Sequence, residues 1–147
     1  MRPPAFFAKI TLMIHQELCA VLENINIAPD YFKITLSSKD ISKKALPGQF
    51  VEIKVSDTAT PLLRRPFSFH KIHKDRFEVL YHILGKGTKI LSKKKKGEKL
   101  DIIGPLGNGF NIIKGKIAVL IAGGCGSAPL YALEDKLKKM KIESHFF

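Results

Sequence analysis

The strongest constraint on this chain is a two-residue rhythm that turn residues interrupt again and again. ELCAVLENINI (residues 17–27) alternates loosely and is rich in β-formers. Pro29 and Asp30 make a turn, after which YFKITLS (31–37) sets Phe32, Ile34 and Leu36 on one face. A polar stretch, SKDISKKA, and the turn pair Pro47-Gly48 lead into FVEIKV (50–55), where Val51, Ile53 and Val55 oppose Glu52 and Lys54. The loop DTATPLL gives way to RRPFSFHKI; HKDR (73–76) reads as a hairpin connection, and FEVLYHIL (77–84) follows. Five short strands parted by turns predict a small antiparallel barrel.

Within that run, RRPFSFH (64–70) has an unusual mixture. Strands normally alternate polar with apolar, yet Arg64 and Arg65 stand side by side ahead of Pro66 and Phe67. A planar, bidentate cation such as Arg65 suits a phosphate. Phe67 offers a ring face, and the Ser68 hydroxyl both donates and accepts. A ligand with a diphosphate at one end and a flat heteroaromatic at the other would use all three. A basic edge strand over a buried Phe is the equally simple alternative.

After residue 84 the texture changes. In GKGTKILSKKKKGE (85–98) two glycines precede Thr88, a good N-cap, and a short helix is expected. The start of such a helix exposes N–H groups that favour phosphate. Because it lies one strand after RRPFSF, a hairpin would bring Arg65 and Thr88 to opposite sides of one anion. KLDIIGPLGNGF (99–110) is a strand with three loop glycines, Gly104, Gly107 and Gly109. These either admit something close to the backbone or simply close the barrel.

From Lys116 the pattern is α/β. KIAVLIA is a continuous apolar run, as in a parallel strand covered on both faces. GGCGSAP follows, and then LYALEDKLKKM repeats Leu130, Leu133, Leu137 and Met140 at helical spacing, before KIESHFF begins a second strand. Strand, glycine turn, helix, strand opens a nucleotide-binding half-fold, with Gly123, Gly124 and Gly126 allowing close approach. The dinucleotide fingerprint is incomplete, since Pro129 replaces its third glycine; proline suits a first helical turn. One such unit leaves Ile117, Val119, Ile121, Phe146 and Phe147 partly bare, so the chain reads as C-terminally truncated or covered by something else. The expected organisation is a ragged N-terminus (1–14), a barrel domain (15–113) and a partial nucleotide-binding domain (114–147).

Composition narrows the function. At 147 residues and 45% apolar content, one sizeable core and part of a second can form. No apolar run approaches the ~20 residues that cross a bilayer. The start lacks a cleavage site and is not read as a signal peptide; Met13 is an alternative first residue. Cys19 and Cys125 are far apart in sequence, which suits a reducing cytoplasm rather than a disulfide framework. The net charge of +12 attracts polyanions, yet its lysine runs lack interleaved aromatics and match no nucleic-acid motif. Solvated lysines are the simpler reading. The histidines at 15, 70, 73, 82 and 145 are scattered, and no nucleophile–base constellation or metal-ligand set is present, so direct acid–base catalysis by this chain is not expected.

Taken in order, PGQF, RRPFSF, the LYH of FEVLYHIL, GKGT, GPLGNGF and IAGGCGSAPL resemble the ferredoxin–NADP reductase superfamily, in which a flavin-binding barrel precedes a nicotinamide-binding α/β domain. Within it the likeness is greatest to the electron-transfer subunits of bacterial two-subunit dihydroorotate dehydrogenases. It covers roughly residues 17–147. The resemblance implies FAD contacts at Arg65, Pro66, Phe67 and Ser68, at Leu80, Tyr81 and His82, and at Gly87 and Thr88. Arg65 and the Gly87–Thr88 amides would hold the diphosphate, Phe67 and Ser68 would lie along the isoalloxazine, and Tyr81 would pack against the cofactor. Gly123 to Pro129, with Gly123, Gly124 and Gly126 foremost, would border NAD(H). Two departures stand out. His82 replaces a common arginine, making that contact pH-dependent. The cysteine cluster that ligates a [2Fe–2S] centre in this family is absent from these residues, and Cys125 cannot substitute for four thiolates.

The implied activity is a flavin-dependent oxidoreductase subunit that passes electrons between NADH and a catalytic dihydroorotate dehydrogenase partner in pyrimidine biosynthesis. A chain of only these residues is expected to bind FAD weakly and not to complete the relay. A related ferredoxin or sulfide dehydrogenase flavoprotein subunit is the runner-up, and a non-redox basic binding module the third possibility.

Overall fold

The computed structural model describes residues 14–113 and 115–147. Strands β1 (His15–Ala28), β2 (Tyr31–Ser37), β3 (Phe50–Lys54), β4 (Arg65–Ser68), β5 (Lys71–Ile72), β6 (Arg76–His82) and β7 (Lys99–Leu106) form one antiparallel sheet, ordered β4-β3-β7-β1-β2-β6-β5. Helix α1 (Ile41–Lys44) follows β2, and α2 (Lys86–Leu91) joins β6 to β7. A separate parallel pair, β8 (Ala118–Leu120) and β9 (Ser144–Phe146), flanks a 3-10 turn (Gly124–Ser127) and α3 (Ala128–Lys139). The residues expected in a signal-free, ragged N-terminus lie almost wholly outside the described part.

The period-two pattern survives as burial. Val51 and Ile53 are buried along β3 with Val55 just beyond its end, and Phe77, Val79 and Tyr81 along β6. Ile34 and Leu36 complete the inner face of β2, with Phe32 packed at its margin. At the centre the rings of Phe69 and Phe77 meet edge-on, with centroids 5.1 Å apart, an arrangement aromatic pairs prefer.

The sheet curls until its ends meet, and the chain itself bridges the join. β4 and β5 are terminal strands on opposite sides of the sheet, yet only Phe69 and His70 separate them in sequence. Phe69 N–H donates to Gln49 O (3.4 Å), beside β3, and His70 N–H donates to Glu78 O (2.8 Å) on β6. Phe67 of β4 then stands edge-on to Tyr81 of β6 at 5.7 Å. RRPFSFHKI is therefore two strands rather than one, and the motif marks where the barrel closes.

Three local points become definite, and one expectation, the Thr88 N-cap, is corrected. The polar stretch after β2 contains α1, whose first turn is capped from another strand: the Glu17 carboxylate accepts from Lys39 N (3.1 Å), Asp40 N (2.8 Å), Ile41 N (3.3 Å) and Ser38 Oγ (2.6 Å). Thr88 is not the N-cap of α2. Gly85 is, since its carbonyl accepts Lys89 N–H at 2.9 Å, and Thr88 Oγ1 reaches back to accept from Leu84 N (3.0 Å) and Gly85 N (3.2 Å). The loop glycines approach the protein's own side chains: a Cβ on Gly104 would lie 2.8 Å from Val51 Cγ1, and one on Gly107 (φ +75°) 3.0 Å from Phe50. They close the barrel.

In the second unit β8 spans only three residues of KIAVLIA. Leu120, Leu133 and Leu137 form a small core, while Ile117, Val119, Ile121 and Phe147 are 58–76% exposed and Phe146 is half-buried. One β-α-β unit covers one side of its strands.

Candidate functional site

Where the barrel closes, the four residues of β4 meet β6, the opening of α2 and the glycine turn around one cleft of about 290 Å³. Arg65, Pro66, Phe67, Ser68, Leu80, Tyr81, His82 and Thr88 line it, joined by Leu84, Cys125 and Ala128. A hollow of about 250 Å³ between residues 110–118 and α3 is walled chiefly by Ile, Leu and Phe side chains and Lys116. The first cleft combines a guanidinium, hydroxyls and aromatic rings, and so is the better candidate.

The two neighbouring arginines part where β4 begins, Arg64 just before the strand and Arg65 its first residue. Arg64 turns to β7, where its Nη1 donates to Asp101 O and its Nη2 to Asp101 Oδ2, both at 2.6 Å. Gln16 Nε2 donates to the same carboxylate at 2.9 and 3.1 Å. Partial burial opposes ionisation of Asp101, but these hydrogen bonds outweigh it and hold the carboxyl below its ordinary range. Arg64 is a structural ion pair. Arg65 turns to the cleft, its Nη1 donating to Leu63 O (2.9 Å) and Arg64 O (3.1 Å). Among the described residues no carboxylate pairs with it. Gly87 lies against its stem: a Cβ there would be 2.8 Å from Arg65 Nε. Arg65 and the start of α2 thus share one cleft, and Gly87 takes part through this contact rather than as lining.

The aromatic wall is fixed from behind. Tyr81 is 3% exposed, packs on Phe32 (5.7 Å) and donates its hydroxyl to Asn24 Oδ1 at 3.0 Å. Burial pushes its phenol up to about 12, despite the Asn24 contact. Asn24 Nδ2 in turn donates to Leu91 O (2.9 Å) and Lys94 O (3.1 Å), tying the end of α2 to this wall. His82 stacks on Tyr31, with centroids 4.5 Å apart. Ser68 Oγ has no protein partner among the described residues, leaving a free hydroxyl beside Phe67.

The glycine turn is open on its outer side. Gly123, Gly124 and Gly126 are exposed and stand outside the lining; an added Cβ on any of them meets nothing within 4 Å. The turn reaches the cleft through Cys125 and Ala128. Cys125 and Ala128 belong to the stretch 123–129 expected to border a nucleotide; Asn24, Tyr31 and Leu84 are additions to the expected site residues. Tyr31 and Asn24 carry a local signal, as positions of strands already recognised, whereas Leu84 depends on how α2 docks.

No protein-family model matches the chain. Curated relatives do. It is 43% identical over 127 residues to a dihydroorotate dehydrogenase B (NAD(+)) electron transfer subunit of Bacillus pumilus, covering 83% of this chain and 49% of the relative. A protein of the same name from Fusobacterium nucleatum is 38% identical over 135 residues, covering 87% and 51%. The chain spans about half the length of the curated relatives it matches. Among solved structures, an NADH-dependent reduced ferredoxin-NADP oxidoreductase superposes with a TM-score of 0.80 at 31% identity, over 88% of this chain and 47% of that one. Phthalate dioxygenase reductase shares the fold, with a TM-score of 0.68 at 19% identity over 91% and 42%.

Proposed function

We propose, for a chain that belongs to the ferredoxin–NADP reductase superfamily, that the cleft at the barrel closure binds FAD. We further propose that the chain serves an electron-transfer subunit working between NADH and a catalytic dihydroorotate dehydrogenase, in pyrimidine biosynthesis and in the cytoplasm. The observation that carries this reading is Arg65, a guanidinium without a carboxylate, set against Gly87 at the opening of α2 in the same cleft as Phe67 and Ser68.

The donor set fits FAD. Arg65 would neutralise the diphosphate with charge-assisted hydrogen bonds, and the Gly87 and Thr88 amides would complete its cradle. Phe67, with Tyr81 braced behind it, gives a flat apolar wall for the isoalloxazine. Ser68 would offer its free hydroxyl to a ring atom, and Pro66, Leu80 and His82 would flank the cofactor. The turn carrying Gly123, Gly124, Cys125 and Gly126 would border the nicotinamide nucleotide. When bound, the flavin supplies the chemistry, taking a hydride and releasing single electrons, while the protein binds, orients and tunes. On this reading residues 15–113 are the FAD domain and 114–147 the beginning of the NAD domain.

The described residues do not fit an iron–sulfur centre. Burial pushes the Cys19 thiol up to about 12, the exposed Cys125 lies in the glycine turn, and no three His, Cys, Asp or Glu side chains converge. Among the described residues no helix is long and apolar enough to cross a membrane.

Reconstitution with FAD followed by a visible spectrum tests the reading: bound flavin bands are expected, and a protein that stays colourless sinks it. The ferredoxin-linked structure favours a second reading, a subunit serving a ferredoxin or sulfide dehydrogenase. Co-purification with a dihydroorotate-oxidising partner, rather than a ferredoxin-linked one, separates the two.

A further inference from the structure

His70 stands where the barrel meets the glycine-turn unit. Its backbone is fixed by the closure bond to Glu78, and its side chain is buried at 9% exposure. Nδ1 lies 3.3 Å from the carbonyl oxygen of Ala128, the first residue of α3. A carbonyl only accepts, so Nδ1 carries the proton. The ring also stands edge-on to Tyr131 at 4.9 Å, and Tyr131 lies against Phe146 of β9 at 5.2 Å.

Among the described residues, this is the one hydrogen bond between 14–113 and 115–147. The turn's own bonds are internal: Gly126 N donates to Gly123 O (3.1 Å) and Ser127 Oγ to Gly124 O (2.8 Å). Farther along α3 the helix stays close to β5 and Ala132 is buried, while Ala132, Asp135, Lys136 and Lys139 line a groove of about 160 Å³ with Leu46 and Ile72 of the barrel. The polar tie is thus at the helix's first turn, and beyond it α3 is held by packing alone. Ala128, whose carbonyl His70 holds, is itself a wall of the cleft, next to Cys125.

We propose that His70 is a positioning residue that docks the start of α3 on the closing strand, and so sets the gap between Phe67–Ser68 and Cys125–Ala128. The docking stands on geometry; its consequence for a nicotinamide meeting a flavin rests on the flavin reading above. Releasing the latch loosens the turn while the barrel face stays intact.

The test compares wild type, His70→Leu and His70→Asn, the last keeping a short N–H donor. Hydrogen exchange followed by mass spectrometry should be about fivefold faster over residues 123–133 in His70→Leu, as loss of one net hydrogen bond implies. Peptides of β2 and β6 should be unchanged, and His70→Asn should regain most of the protection. In the FAD-loaded protein, FAD affinity should stay within about twofold, and KM for NADH should rise with kcat little altered. Unchanged exchange over 123–133 in His70→Leu overturns the proposal, as does equal loss of protection in the barrel. A wild type that takes up no FAD defeats the flavin reading instead, and the exchange comparison then decides the latch alone.

Discussion

Replacing Gly87 by alanine adds one methyl group between α2 and Arg65. The new Cβ would lie 2.8 Å from Arg65 Nε, 3.3 Å from Cγ and 3.5 Å from Cδ. Carbon atoms prefer about 3.5–4.0 Å, so the arginine stem must withdraw by roughly 0.5–1 Å. Its Nη1 is already held by Leu63 O and Arg64 O, and yielding by a torsion ~30° off its rotamer costs about 0.5–1.5 kcal/mol. Alanine in a helix returns about 1 kcal/mol over glycine. The two nearly cancel, so the melting temperature should move by no more than a few degrees. The guanidinium, however, leaves its place facing the cleft. A hydrogen bond to a charged group contributes about 1.5–3 kcal/mol, so the FAD dissociation constant should rise roughly 10- to 100-fold. Flavin fluorescence titrations of wild type, Gly87→Ala, Arg65→Ala and the double variant give the answer. If the methyl acts through Arg65, the double variant binds no worse than Arg65→Ala alone. Wild-type affinity in Gly87→Ala, or fully additive losses in the double variant, would refute the reasoning.

Arg64→Ala should do the reverse of Arg65→Ala. It breaks the 2.6 Å pair with Asp101, lowering stability in urea denaturation by about 1–3 kcal/mol, and leaves FAD affinity unchanged. Glu17 predicts an acid limb. Burial opposes its ionisation, yet the Ser38 hydroxyl and the α1 amides hold its carboxyl below the ordinary 4.5. Its contribution is therefore complete above pH 4.5 and fades as pH falls through the lower folded value. Glu17→Gln should lose about 1–2 kcal/mol at pH 7 and show a flatter melting curve against pH between 5 and 3. Phe77 is 0% exposed, and Phe77→Ala should cost about 3–5 kcal/mol in chemical denaturation; a loss under 1 kcal/mol would mean the barrel core packs differently.

The barrel was legible because each half-buried strand needs a partner face, and that need writes a period of two into residues such as Val51, Ile53 and Val55. Helix α1 was not legible, since it is one turn long, its N-cap Asp40 makes no side-chain cap bond, and most of its N-terminal N–H groups are satisfied by Glu17 on β1, with Ser38 Oγ accepting only Ser42 N–H. The break in RRPFSFHKI was hidden for a related reason. Only closure of the sheet requires Phe69 to bond toward β3 and His70 toward β6.

The candidate site divides in the same way. Arg65 to Ser68 could be singled out because one short strand carries them all, and Leu80 to His82 only through the family resemblance. The contacts that give these side chains a direction come from elsewhere in the chain: Asn24 behind Tyr81, Gly87 against Arg65, Ala128 against His70. The adjacent arginines show the limit most plainly. Their adjacency at the start of β4 does not say which of them is spent on structure. That is decided by Asp101, which β7 brings beside Arg64. Exchanging the two environments, by placing a carboxylate beside Arg65 and removing Asp101, would turn the cation proposed to bind the diphosphate into a structural one with RRPFSF itself unchanged.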